Sequence, residues 1–144
     1  MRHFLVILVA ILATTSVNAA IEGSYFAVIV NDLDTSQEWY ETVLGLSPES
    51  TLSEDDRYKI VNLKGRGLFV ELLELATAQD RPEGLVRGPF KVGMLVRNLE
   101  EFIAGLPESV AEPDVISDPT NGLVLIQIRD PDGNIVQVMR LIDE

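Results

Sequence analysis

The sequence predicts an α+β domain built from two βαβββ modules in tandem, on three observations. The apolar pattern of Tyr25–Leu33 returns in Lys91–Leu99, at an offset of 66 residues. The same offset lays Gly67-Leu68-Phe69-Val70-Glu71 on Gly133-Asn134-Ile135-Val136-Gln137, Ile60 on Ile126 and Leu75 on Leu141 without a gap. Each half also runs through strand, helix and three further strands in the same order.

Module one covers about residues 24–75. A β-rich run at 24–31 ends on Asn31-Asp32, whose side chains suit a helix cap. Thr35 to Leu44 then reads as a helix with Trp39, Val43 and Leu46 on one face, stopped by Gly45. Strands follow near 46–52, 57–64 and 67–75, the last two joined by a Lys64-Gly65-Arg66-Gly67 turn. Residues 76–88 form a polar linker containing proline and glycine. Module two, about 90–142, repeats the order with a strand at 90–97, a short helix at 99–106 and strands near 111–117, 123–130 and 133–142. Pro107 ends its helix early, and Asp130-Pro131-Asp132-Gly133 makes its tight turn. If the helices cover one face of each sheet, the opposite faces meet across a cleft, which is a route to a ligand site.

Residues 1–19 read as a secretory signal. Arg2 and His3 precede an unbroken apolar run from Phe4 to Ala13, and Val17-Asn18-Ala19 supplies a small-x-small cleavage pattern. A helical run of about ten residues covers about 15 Å, half of a bilayer core. The expected mature chain is a single domain, 20–144, periplasmic or secreted, with no stable membrane anchor after cleavage. Lipidation after the signal needs a cysteine, and the chain has none.

Composition then removes whole classes of chemistry. The only histidine is His3, so the expected mature domain has none, and serine–histidine triads and histidine metal sites go with it. Zero cysteine excludes disulfides and thiol nucleophiles. A net charge of −12 with no basic cluster argues against nucleic acid as a partner. Glu54-Asp55-Asp56 lacks the spaced oxygens of a calcium loop and reads as a solvated loop.

Val30-Asn31-Asp32-Leu33, the helix with Trp39-Tyr40, and Val43-Leu44-Gly45-Leu46 resemble the opening of a vicinal oxygen chelate domain. This is the superfamily of glyoxalase I, bleomycin resistance proteins and extradiol dioxygenases. Leu68-Phe69-Val70-Glu71-Leu72 and Arg129-Asp130-Pro131-Asp132-Gly133-Asn134-Ile135-Val136-Gln137 resemble its module-ending strands. The resemblance implies a curved mixed sheet around the cleft and a homodimer. It also implies that four positions point into the cleft, where the family's enzymes hold a divalent metal. Matched residue by residue, these are Tyr25, Glu71, Lys91 and Gln137, and they fall in pairs at the 66-residue offset.

The family's metal chemistry does not carry over to this residue set. Glu71 is the one carboxylate, Gln137 offers an amide oxygen, and the Lys91 ammonium repels a cation and has no free lone pair. No metal and no cofactor are therefore expected. A Glu71–Lys91 ion pair is expected in the metal's place, hydrogen-bonded by Tyr25 and Gln137. By strand alternation Ala27, Ile29, Phe69, Gly93, Leu95 and Ile135 share that face, and Gly93 opposite Ala27 leaves space near the module interface. Trp39 and Tyr40 pack on the sheet's other face.

The function expected is binding or sequestration of a small amphipathic molecule, by Tyr25, Glu71, Lys91, Gln137, Phe69 and Ile135, as in bleomycin resistance proteins. Two other readings stay open. One is an enzyme of this superfamily, a lyase or isomerase, using an oxygen-ligated metal or metal-free acid–base chemistry by Glu71 or Lys91. The other is a structural or interaction module whose cleft is filled by its own polar groups.

Overall fold

The computed structural model describes residues 25–80 and 91–142. The expected export segment lies outside these residues, as does most of the expected linker. Module one contains β1 (Phe26–Val30), α1 (Leu33–Leu44), β2 (Ser47–Glu54), β3 (Tyr58–Gly65) and β4 (Leu68–Leu75). Module two contains β5 (Lys91–Leu95), α2 (Leu99–Ala104), β6 (Ile116–Asp118), β7 (Leu123–Arg129) and β8 (Ile135–Leu141). Each module forms a mixed four-stranded sheet, ordered β1-β4-β3-β2 and β5-β8-β7-β6. The tandem βαβββ reading therefore holds, with β1–β4 and β5–β8 the parallel pairs.

Local chemistry repeats along with the topology. Asp32 caps α1 by accepting from the Thr35 amide at 2.7 Å, and Asn98 caps α2 by accepting from the Glu101 amide at 2.9 Å. Gly67 and Gly133 both take positive φ, 80° and 78°, in the turns that lead into β4 and β8. The helix-facing side chains of both sheets, among them Val61, Leu63, Val70, Leu72, Ile126, Ile128, Val136 and Val138, make one buried core with Tyr40, Leu44 and Leu99.

The repeat slips once. The expected match of Ile60 with Ile126 fails, because Ile60 pairs with Leu73 on the half-exposed face while Ile126 pairs with Val138 and is fully buried. Strands β3 and β4 are joined by Arg66-Gly67, but β7 and β8 by the longer Asp130–Asn134 loop, so β7 is displaced by one residue and its faces exchange. Strand β2 reaches further than expected, to Glu54, and is exposed throughout as an edge, with a register shift between Pro48 and Ser50. Strand β6 and helix α2 are shorter than expected.

The long loop joins the modules. Asp130, 5% exposed, accepts from the Tyr40 hydroxyl at 3.0 Å, the Asn134 amide at 2.7 Å, the Asn134 side chain at 2.9 Å and the Asp132 amide at 3.1 Å. Asp132 reaches the start of α1, accepting from the Asn31 amide at 3.1 Å and the Ser36 hydroxyl at 3.3 Å. Trp39 lies edge-on to Tyr40, with ring centroids 5.0 Å apart. Burial, then the neighbouring Asp130 carboxylate, holds the Tyr40 phenol far above its ordinary value of 10.0.

Tyr40→Phe should cost about 1–2 kcal/mol at pH 7, because it removes one donor from a buried carboxylate. The sign at high pH follows from linkage. An unfolded tyrosine ionises near pH 10 and the folded one does not, so stability falls as pH rises through 10. Denaturant unfolding at pH 7 and pH 10.5 should show a shallower alkaline loss for Tyr40→Phe than for the parent.

Candidate functional site

Alternation places Tyr25, Phe69 and Glu71 on the helix-free face of sheet one, and Lys91, Ile135 and Gln137 on that of sheet two. The repeat is kept at this point: Glu71 pairs with Ala27, and Gln137 pairs with Gly93. Within module one, Tyr25 meets Phe69 edge to face, with centroids 6.0 Å apart and planes at 87°. Tyr25 is 67% exposed, while Phe69 and Glu71 are half-buried. Within module two, the Lys91 ammonium donates to Gln137 Oε1 at 2.5 Å. Gln137 is 7% exposed, and its oxygen also accepts from Gln127 Nε2 at 3.2 Å. Ile135 is buried beside it.

The expected Glu71–Lys91 ion pair does not form. Among the described residues Glu71 has no ion-pair partner, and Lys91 turns to the amide of its own module instead. Sheet two supplies Lys91 with a polar neighbour locally, so its ammonium has no need to reach across. The expected space at Gly93 is narrowed on the sheet face, where an added methyl group would lie 3.0 Å from the flexible Met139 Cε, while Gly93 also borders open space at the module seam.

Sequence reasoning missed Asn62 and Gln127, which lie directly across from Glu71 and Gln137 in the ladders. Their signal was present, since each is an amide interrupting an otherwise apolar strand, Ile60-Val61-Asn62-Leu63 and Leu125-Ile126-Gln127-Ile128. The same faces carry large apolar side chains in solvent, including Ile29 at 55% and Leu95 at 65% exposure. The result is a broad face with apolar area and two small polar patches.

A depression of about 790 Å³ lies elsewhere, over the β2–β3 turn. Its charged lining is largely self-paired, Arg57 with Glu54 at 2.7 Å and Lys59 with Glu74 at 2.8 Å. Lys59 and the Leu33 amide together hold the Glu74 carboxyl below its ordinary value. This is a solvated charged rim, and it brings no reactive group to the sheet faces.

The divalent metal implied by the resemblance does not fit these residues. A cation at the four positions would compete with an ammonium already seated on the amide oxygen it needs, leaving Glu71 as the one charged donor. Among the described residues no group of three or more histidine, cysteine, aspartate or glutamate side chains could hold a metal.

The chain matches the family model of the Glyoxalase/Bleomycin resistance protein/Dioxygenase superfamily over residues 24–138, and it belongs to that superfamily. Among solved structures, it is similar to a glyoxalase family protein from Enterococcus faecalis at 18% identity, with a TM-score of 0.69, covering 85% of this chain and 98% of that one. It is also similar to the trypanothione-dependent glyoxalase I of Leishmania major at 20% identity, TM-score 0.61, covering 79% and 82%. A fosfomycin resistance protein from Listeria monocytogenes, solved with Mn(II) and sulfate, aligns at 13% identity and TM-score 0.61, covering 84% and 93%. A search of curated protein sequences finds no match. Identities at this level establish the fold and leave the chemistry to the residues.

Manganese titration tests the donor argument directly. Mn²⁺ added to millimolar concentration should give no stoichiometric isotherm by calorimetry, and a one-to-one isotherm would overturn the reading of Lys91 and Gln137.

Proposed function

We propose that this chain is a metal-independent small-molecule-binding member of the superfamily, acting as a periplasmic or secreted protein. The observation that carries the reading is the Lys91 ammonium on Gln137 Oε1, in the position where the family's metal would need a free oxygen donor. Lys91 is exposed and keeps further N–H donors for an anionic or polar head group. Tyr25 and Phe69 offer an aromatic edge, and Ile29 and Leu95 offer apolar area for the rest of an amphipathic ligand. The same exposed apolar area supports a homodimer in which these faces are covered.

A second reading has one observation in its favour. Glu71 is half-buried, has no ion-pair partner among the described residues and stands across from Asn62. A carboxylate so placed is a candidate general base for metal-free lyase or isomerase chemistry.

Native mass spectrometry of protein exported by its own N-terminal segment, purified without chelator, tests both location and binding. The expected species begins at Ala20 and carries an extra small-molecule mass with no metal. A species that keeps residues 1–19 would end the export reading, and one divalent ion per chain would end the metal-independent one. Glu71→Gln separates the two functional readings, since a binding protein keeps its ligand while an acid–base enzyme loses turnover.

A further inference from the structure

The pseudo-symmetry of the modules gives the protein two seams, and they are built differently. In one seam, the turn of module two docks on α1 through Asp132, which bonds the Asn31 amide and the Ser36 hydroxyl. Advancing the sequence by the 66-residue offset defines the other seam. Arg66 there occupies the place of Asp132, and Phe102 the place of Ser36. A guanidinium and a phenyl ring cannot repeat a carboxylate–hydroxyl bond, and among the described residues no side-chain hydrogen bond joins the modules at this seam.

A cavity is left instead. It measures about 280 Å³ and is lined from module one by Leu44, Arg66 and Leu68, and from module two by Gly93, Val96 and Phe102. Its lining is apolar except for one cation. Among the described residues Arg66 makes no ion pair, although the chain carries 23 acidic residues against 11 basic ones. Arg66 is exposed at the mouth of this space; it takes a left-handed φ of 50°, and its side chain passes so close to Gly45 that a methyl group there would lie 2.8 Å from Nε. Gly45 itself has φ 65°, so this crossing is fixed by a residue that only glycine fills without strain.

We infer that this seam is a second ligand site, adjoining the helix-free sheet face at Gly93 and Leu95 but centred on Arg66 and Phe102, for a small apolar monocarboxylate. The ligand's carboxylate pairs with Arg66 and its apolar body fills the space between Leu44, Leu68 and Phe102. Arginine matches a carboxylate with two parallel N–H donors. One cation on a strongly acidic chain neutralises a monoanion and leaves a dianion under-compensated. A cavity of about 150 Å³ holds benzene, so this one suits a body of roughly seven to ten carbons. The carboxylate would sit on module one and the apolar body against Val96 and Phe102 of module two, so the ligand touches both modules.

Octanoate is the probe, with octan-1-ol as its uncharged control. Calorimetry on the full chain should show one octanoate per chain, with a rise in Tm that grows with its concentration. Arg66→Asn keeps a residue that tolerates left-handed φ and removes the charge, and Arg66→Gly does so without any side chain. Both should weaken octanoate by about 10- to 100-fold, the range of a hydrogen bond to a charged group, and leave octan-1-ol unchanged. Amide shifts on octanoate binding should centre on Gly67, Val96 and Phe102. The inference fails if octanoate does not bind, if both variants bind it as tightly as the parent, or if the shifts centre on Glu71 and Gln137.

Discussion

The Asp130 carboxylate is the point on which the two-module structure turns. A buried charge is tolerated only when its lone pairs are met, and four donors meet this one, three from its own loop and one from Tyr40 of the other module. The loop is therefore shaped by the same atom that anchors it. Because Asp130 holds the loop in a fixed form, Asp132 is carried to the start of α1, where it meets the Asn31 amide and Ser36. Module two is thus bonded to module one at a helix N-terminus, where a carboxylate is also favoured by the helix dipole.

That loop also breaks the repeat. Its added length displaces β7 by one residue relative to β3, and a strand displaced by one residue exchanges its faces. The exchange is accommodated because β7 is apolar at successive positions, Leu123-Val124-Leu125-Ile126, so either parity presents aliphatic side chains to the core. It also sets Gln127 beside Gln137, which fixes the amide that Lys91 then occupies. One loop thus determines both how the modules join and which polar groups face outward on sheet two.

The same asymmetry separates the chemistry of the two halves. Module one keeps a carboxylate, Glu71, with an amide across the ladder, and module two keeps an ammonium on a pair of amides. The ammonium finds its neutral partner within its own sheet, on Gln137, so the two polar patches remain separate. Neither patch gathers the several oxygen donors that a hard divalent cation requires.

The repeat, the order of elements, the cap of the first helix and the sheet face of every proposed site residue were legible in the sequence. All of these follow from short-range rules: strand alternation, a helix cap at Asp32, and a glycine that permits positive φ at 133. Superfamily membership was legible for the same reason, because its motifs are local turns and strand ends. Only the tertiary structure decided which partner each charge takes, that β7 slips by one residue, that Asp130 is buried beneath Tyr40, and that among the described residues one seam is latched by hydrogen bonds and the other is not. These depend on the difference in loop length between Arg66-Gly67 and Asp130–Asn134, and on distances between residues about 40 to 100 positions apart. A sequence pattern fixes which way a side chain points from its own strand. It does not fix what stands opposite, because that is settled by how two packed modules share a single core.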